Sequence, residues 1–205
     1  MKAPQDYNSK RLCLTNIEDY LKKKYNAKEV KETSSKVLKI TPLLQRDYGE
    51  ENDCTLTSIT TCVNYYTKGS HQVTAIYDKV EKVAKKFFYK GNVGTFPLFI
   101  QQIYNEVLKV FPCSKTKTAQ GYLKGVGFNF NTIKNVINKS TPMILSINDD
   151  GRKYYKNHSI TIIGYKTYKI DNKHEAKILV LYDNWHKSES LLDYDILSVI
   201  ASINY

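Results

Sequence analysis

The chain changes its hydrophobic period at Pro142, and that change restricts the fold more than any other feature of its 205 residues. Up to residue 139 the apolar side chains recur at helical spacing. Ile17, Tyr20 and Leu21 follow Thr15-Asn16, a pair suited to opening a helix. Leu56, Ile59, Val63 and Tyr66 define one face of a helix that starts at Cys54 and is closed by Gly69. Apolar residues at 73, 76, 77, 80, 83, 84, 87 and 88 predict a strongly amphipathic helix. Thr95 reads as an N-cap, with Pro97 in the first turn of a helix whose stripe is Ile100, Ile103, Tyr104, Val107 and Leu108. Asn131 reads as the cap of a shorter helix reaching Lys139. Beyond Pro142 the alternation predicts strands over 143–148, 159–170 and 176–182, a last strand within 196–205, and turns at 148–151 and 171–175.

Helices first and an antiparallel sheet afterwards make this an α+β chain rather than an alternating α/β one. Its length suits one domain, 1–205, with a sizeable core. Within it we expect an outer arm over 1–45, a helical lobe over about 50–140 and a sheet lobe over about 141–205. In the arm, residues 1–11 read as loose, 28–36 as polar loop and 37–40 as a short strand ended by Pro42.

Composition removes several function classes. No apolar run is long enough to span a bilayer. The opening MKAPQDYNSKRLCL has no apolar core of the kind a signal peptide carries. A soluble protein is expected, with cytoplasm and secretion both left open. The net charge is +11, from 31 Lys+Arg against 20 Asp+Glu. Such a balance favours anionic partners in general. The lysines are nevertheless spread along polar helix faces, and no zinc-finger or RNA-recognition pattern accompanies them, so a specific nucleic-acid partner is not expected. Cys13, Cys54, Cys62 and Cys113 form no CxxC pair, which argues against a zinc site and a disulfide scaffold. No metal and no organic cofactor is implied, and the oligomeric state stays open.

Chemistry concentrates around Cys54. A thiol in the first turn of a helix, with Asp53 as the cap, sits where unfilled N–H groups and the helix dipole stabilise a thiolate. The competing reading is an ordinary buried cysteine. Of His71, His158, His174 and His186, only His158 directly precedes a long strand that can aim it. Asp183 follows the strand 177–182 and precedes Asn184-Trp185. A carboxylate or amide there can accept from the second imidazole nitrogen, and because neighbours point opposite ways only Asp183 or Asn184 can do so. Asp183 is equally well suited to forming a turn. Trp185 either covers the His–Asp pair or fills the core.

The order of these motifs resembles the papain-like cysteine peptidases, and more closely the bacterial bacteriocin-processing peptidases. It runs from Gln45 through Asp53-Cys54 at a helix start and Thr141-Pro142-Met143-Ile144-Leu145-Ser146 before a strand. His158 followed by a β-run ending in Gly164-Tyr165, and then Asp183-Asn184-Trp185, complete it. The resemblance covers roughly residues 40–186. It implies a papain-like fold with the active-site cleft between the two lobes. Cys54 would be the nucleophile, His158 the general base and acid, Asp183 the orienter, and Gln45 the oxyanion donor beside the Cys54 N–H. In papain an Asn followed by Ser-Trp fills the third role; matching on Trp185 aligns Asp183 with that Asn and Asn184 with the Ser. Two departures stand out. Gln45 lies nine residues before Cys54 (54 − 45), further than in that family, which brings in Asn52 or a backbone amide as alternative donors. Thr55 replaces the family's glycine and could narrow the cleft.

The implied activity is hydrolysis of peptide bonds in a peptide or protein substrate through a thioester. Two rivals share the fold: acyl transfer or deamidation of the transglutaminase kind on the same triad, and an inactive binding module. A third rival is a basic surface that holds anionic polymers.

Overall fold

The computed structural model describes residues 16–48, 52–112, 121–122, 129–149, 157–197 and 199–205. Among the described residues five helices, α1 (Ile17–Tyr25), α2 (Cys54–Tyr66), α3 (Val73–Lys86), α4 (Ile100–Leu108) and α5 (Phe130–Asn138), accompany an antiparallel sheet. Its strands are β1 (Val30–Val37), β2 (Gly121–Tyr122), β3 (Met143–Asp149), β4 (His158–Ile170), β5 (His174–Tyr182), β6 (Ser190–Asp193) and β7 (Val199–Asn204). They run in the order β2-β7-β3-β4-β5-β6, with β1 added to β4. The fold is α+β. None of the described helices is long and apolar enough to cross a membrane.

The centre of the sheet, β3 to β5, is buried on both faces. One core joins α1 and α5 to Met143, Leu145, Ile147, Ile160 and Ile162. The other joins α2, α3 and α4 and reaches Ile144. Ile144 and Leu145 are successive strand residues and so project to opposite faces, which puts the two cores on opposite sides of β3. Helix α2 is the inner member of its layer, with residues 54–63 all buried. Its sequence CTLTSITTCV is half polar, yet Thr60 and Thr61 donate to the carbonyls of Leu56 and Thr57 at 2.8 Å each. Hydroxyls satisfied one turn back let a Thr-rich helix be covered all round.

Four local expectations need correction. Residues 28–36 are strand rather than loop: β1 pairs antiparallel with β4, Val30 opposite Ile170 and Val37 opposite Gly164. Its polar sequence hides this because β1 sits at a sheet margin with only Val30, Ser34 and Lys36 partly covered. Backbone pairing there continues with Leu38 N–H to Ile163 carbonyl at 2.8 Å. The cap of α5 is Asn129, whose side chain accepts from Thr132 N–H, not Asn131. Thr95 does not cap α4; Pro97 opens a short 3-10 turn capped by Phe96 and leading into the helix. Asp53 precedes α2 but makes no side-chain cap bond. The strand β6 has no counterpart among the expected elements. The turn expected at 148–151 runs beyond the described residues.

Strand β4 is thirteen residues long and serves two partners on one edge, β3 along its first half and β1 along its second. The handover is at Gly164. A Cβ there would stand 2.5 Å from the Lys36 carbonyl oxygen and 2.9 Å from Val37 Cα. Gly164→Ala should therefore push β1 off β4 and cost about 1–3 kcal/mol. For a chain this size the melting temperature should fall by roughly 2–4 °C per kcal/mol. Thermal denaturation measures it, and an unchanged melting temperature would show that β1 is not docked there.

Candidate functional site

The site is built where the start of α2 meets the start of β4. Cys54 is the first residue of α2, and the Asp53 carbonyl accepts the Thr57 N–H at 2.8 Å as the first helical bond. The Asp53 carboxylate does not turn toward the helix. It accepts from the hydroxyls of Tyr77 on α3 and Tyr89 just beyond it, and is fully buried. A carboxylate held this way is drawn off the helix N-terminus and does not cap it.

His158, the first residue of β4, is buried opposite Ile147 of β3. Its ring stacks on Trp185, with centroids 4.0 Å apart and planes 22° apart. Its Nε2 lies 2.8 Å from the main-chain carbonyl oxygen of Asp183. A carbonyl only accepts, so Nε2 carries the proton and Nδ1 is the nitrogen left for the thiol. The next residue, Ser159, directs its N–H to Cys54 Sγ at 3.4 Å. Burial pushes the Cys54 thiol up. The charge of His158, its hydrogen bond to the thiol and the Ser159 N–H outweigh burial and bring the thiol from 9.0 down to about 7. At Cys62, two turns on, burial outweighs a hydrogen bond with Tyr104 and pushes the thiol up to about 12.

Asp183 reaches the imidazole through its backbone rather than its carboxylate, against expectation. The carboxylate folds back into its own turn. It accepts from Trp185 N–H at 3.0 Å, His186 N–H at 2.9 Å and Ser190 Oγ at 3.2 Å, and meets His186 Nδ1 at 3.1 Å. This is the turn-forming habit of aspartate, and it leaves the carbonyl facing His158. Asn184 has a left-handed backbone, φ 64°. Its Nδ2 lies 2.9 Å from the Cys54 carbonyl oxygen, 2.8 Å from the Ser159 carbonyl oxygen and 2.8 Å from Ser58 Oγ, three acceptors shared by two N–H groups.

A cavity of about 280 Å³ opens over the sulfur. Cys54, Thr55, Ser146, His158 and Ser159 line it, and residues 93–97 with Asn52 complete its wall. Three of the lining hydroxyls bond to each other, Thr55 to Ser159 at 2.8 Å and Ser146 to Ser159 at 3.0 Å. Thr55 is thereby turned to the sheet, with only 2% of its surface exposed. Gln45 is buried and its N–H donates to the Asn184 carbonyl at 2.9 Å, but it is not among the described lining residues. Asn52 lines the cavity and donates to the Gly91 carbonyl at 3.0 Å. Elsewhere, His71 packs edge-on to Phe111 and His174 stacks on Tyr25. Cys13 and Cys113 lie outside the described residues. Among the described residues no His, Cys, Asp or Glu cluster is arranged to hold a metal ion.

Sequence reasoning missed the Ser159 N–H, because a main-chain donor leaves no residue-type signal. It missed the Asp53–Tyr77–Tyr89 clamp because Tyr77 falls on the apolar stripe of α3 and reads as core. The cavity wall at 93–97 had a signal, a Gly-containing loop between two helices, that capping arguments alone do not exploit.

A family model described as "Peptidase_C39 like family" matches residues 37–200. No curated protein matches the chain.

Alkylation of Cys54 by iodoacetamide should follow the thiolate fraction. The rate should rise with pH, reach half its plateau at about pH 7 and level off above. In His158→Ala the burial remains while the opposing charge is gone, so the midpoint should move upward, to 9.0 or beyond. Rate against pH, with Cys54→Ala as the blank, measures both.

Proposed function

The chain belongs to the Peptidase_C39 like family, and on that premise we propose that it is a cysteine peptidase that cleaves peptide bonds through a Cys54 thioester. The observation that carries the reading is a buried thiol brought down to about 7 by an adjacent imidazole, in a residue that lines a cavity. An inert core cysteine is pushed the other way, as Cys62 is.

In this reading the Cys54 thiolate attacks the carbonyl carbon of a peptide bond, and the electron pair moves onto the carbonyl oxygen. The Cys54 N–H, unused by the helix, holds that oxyanion. A side-chain amide joins it. Asn52 lines the cavity and is the favoured second donor; Gln45 is the alternative. The imidazolium of His158 gives its proton to the departing amine as the C–N bond breaks. Water then adds to the thioester, His158 takes its proton, and the acid leaves with the thiolate restored. Asp183 keeps the Nε2 proton in place through its carbonyl, and Trp185 covers the ring. Chemistry of this kind is complete with the chain's own groups.

The same reading takes residues 1–205 as one papain-like domain, with α2–α4 as one lobe and the sheet as the other. It is supported by the cavity's lining, which comes from the start of α2 and residues 93–97 on one side and from β3 and β4 on the other. The substrate is a peptide or protein segment.

Cys54→Ala should abolish hydrolysis of a fluorogenic peptide library. His158→Ala should lower kcat by about 10²–10⁴-fold, the range general acid–base catalysis supplies. Asp183→Asn keeps the carbonyl and should lose less than His158→Ala. Full hydrolysis by Cys54→Ala would end the reading.

A further inference from the structure

We propose that Asn184 is a positioning residue, whose side-chain amide ties the helix that carries the nucleophile to the strand that carries the imidazole. The inference rests on the reading of Cys54 and His158 given above, and adds to it the part that fixes their separation.

Cys54 and His158 come from elements 104 residues apart in the chain (158 − 54). The two elements need a link close to the reacting atoms, since small misplacements there are costly. Asn184 supplies one. Its NH2 group bonds the carbonyl of Cys54 itself and the carbonyl of Ser159, whose own N–H points at the sulfur. Both of those partners are acceptors, so the group facing them must be the NH2 and the orientation of the amide is fixed. The same nitrogen also lies 2.8 Å from Ser58 Oγ, one turn further along α2. The Asn184 carbonyl accepts the Gln45 N–H, which brings the segment before α2 to the same residue. Immediately before it, the Asp183 carbonyl meets His158 Nε2.

Two features favour a positioning role over packing. The residue is held at φ 64°, a region that costs a side-chain-bearing residue free energy and that Asn tolerates better than most. The left-handed turn is what allows one residue to aim its side chain at Cys54 and Ser159 while its predecessor aims a carbonyl at His158. In addition, Asn184 Oδ1 is buried with no partner among the described residues. A buried amide oxygen without a partner is destabilising. The site keeps that amide for its donors.

The test uses the full chain and needs no known substrate for its first arm. Asn184→Gly retains the left-handed turn and removes the amide. Asn184→Asp retains the shape and sets a carboxylate oxygen against two carbonyls. In each, the pH profile of Cys54 alkylation is measured with iodoacetamide beside a thermal melt, and kcat and KM are measured on any peptide the wild type cleaves. The expected result is a thiol midpoint moved upward and kcat lowered about tenfold to a hundredfold, with KM little changed and the larger effect in Asn184→Asp. A lower melting temperature with the thiol midpoint and kcat unchanged in the folded protein would overturn the inference, leaving Asn184 a structural residue. If only one variant folds, it is read alone by the same criteria. If neither folds, failure of Asn184→Asp, an isostere that tolerates the same backbone, would assign the residue to stability and also overturn it. An ordinary thiol midpoint in the wild type would instead overturn the peptidase reading, so the two failures are distinct.

Discussion

A sulfur atom taken out of water resists ionisation, and everything around Cys54 works against that resistance. At Cys62 burial outweighs a hydrogen bond with Tyr104, and the thiol is pushed up to about 12. Eight residues earlier on the same helix (62 − 54), the arrival of one imidazole and one strand N–H reverses the sign. The site is thus a local electrostatic balance that holds only while two elements distant in the chain stay in register. Because the sulfur is buried, the fields of His158 and Ser159 are weakly screened, which is why so few groups suffice.

The packing provides that register. Helix α2 is enclosed by the sheet on one side and by α3 and α4 on the other, and cannot shift without opening a core. Thr60 and Thr61 help make the enclosure possible, since their hydroxyls bond back to the helix instead of requiring solvent. Strand β4 is held along both edges, by β5 on one side and by β3 and β1 on the other. His158 therefore projects from the end of a strand that is fixed over most of its length. The flat contact with Trp185 limits the ring's rotation, and the Asp183 carbonyl sets its tautomer.

Much of this was legible in the residues, at the level of elements. The apolar stripes of α2, α3 and α4 and the alternation after Pro142 are strong because each element buries one or both faces. β1 was not legible. Its residues VKETSSKV carry no apolar pattern, and it is a strand because β4 offers unpaired backbone groups, a fact about a partner more than 120 residues away (164 − 37). Caps were legible as residue types but not as positions: Asn129 and Asn131 are equivalent to any propensity argument, and only the helix start decides between them. In the site, Cys54 and His158 could be singled out because their chemistry belongs to their side chains. Asp183 was singled out for the right partner through the wrong atom, since residue type says nothing about a carbonyl. Asp53 was read as a cap because the two tyrosines that claim its carboxylate are far along the chain.

The clamp on Asp53 separates two properties of the site. Tyr89 anchors the chain to the base of the helix that bears the sulfur, and the cavity wall begins only a few residues later, at Val93. The wall is a loop whose Val93 and Phe96 are largely exposed, and it lies downstream of the anchor. Exchange of side chains between that anchor and Pro97 alters the shape offered to an incoming molecule without touching the groups that ionise the thiol. The shape of the cavity in such a scaffold can drift while the ionisation of the thiol is preserved.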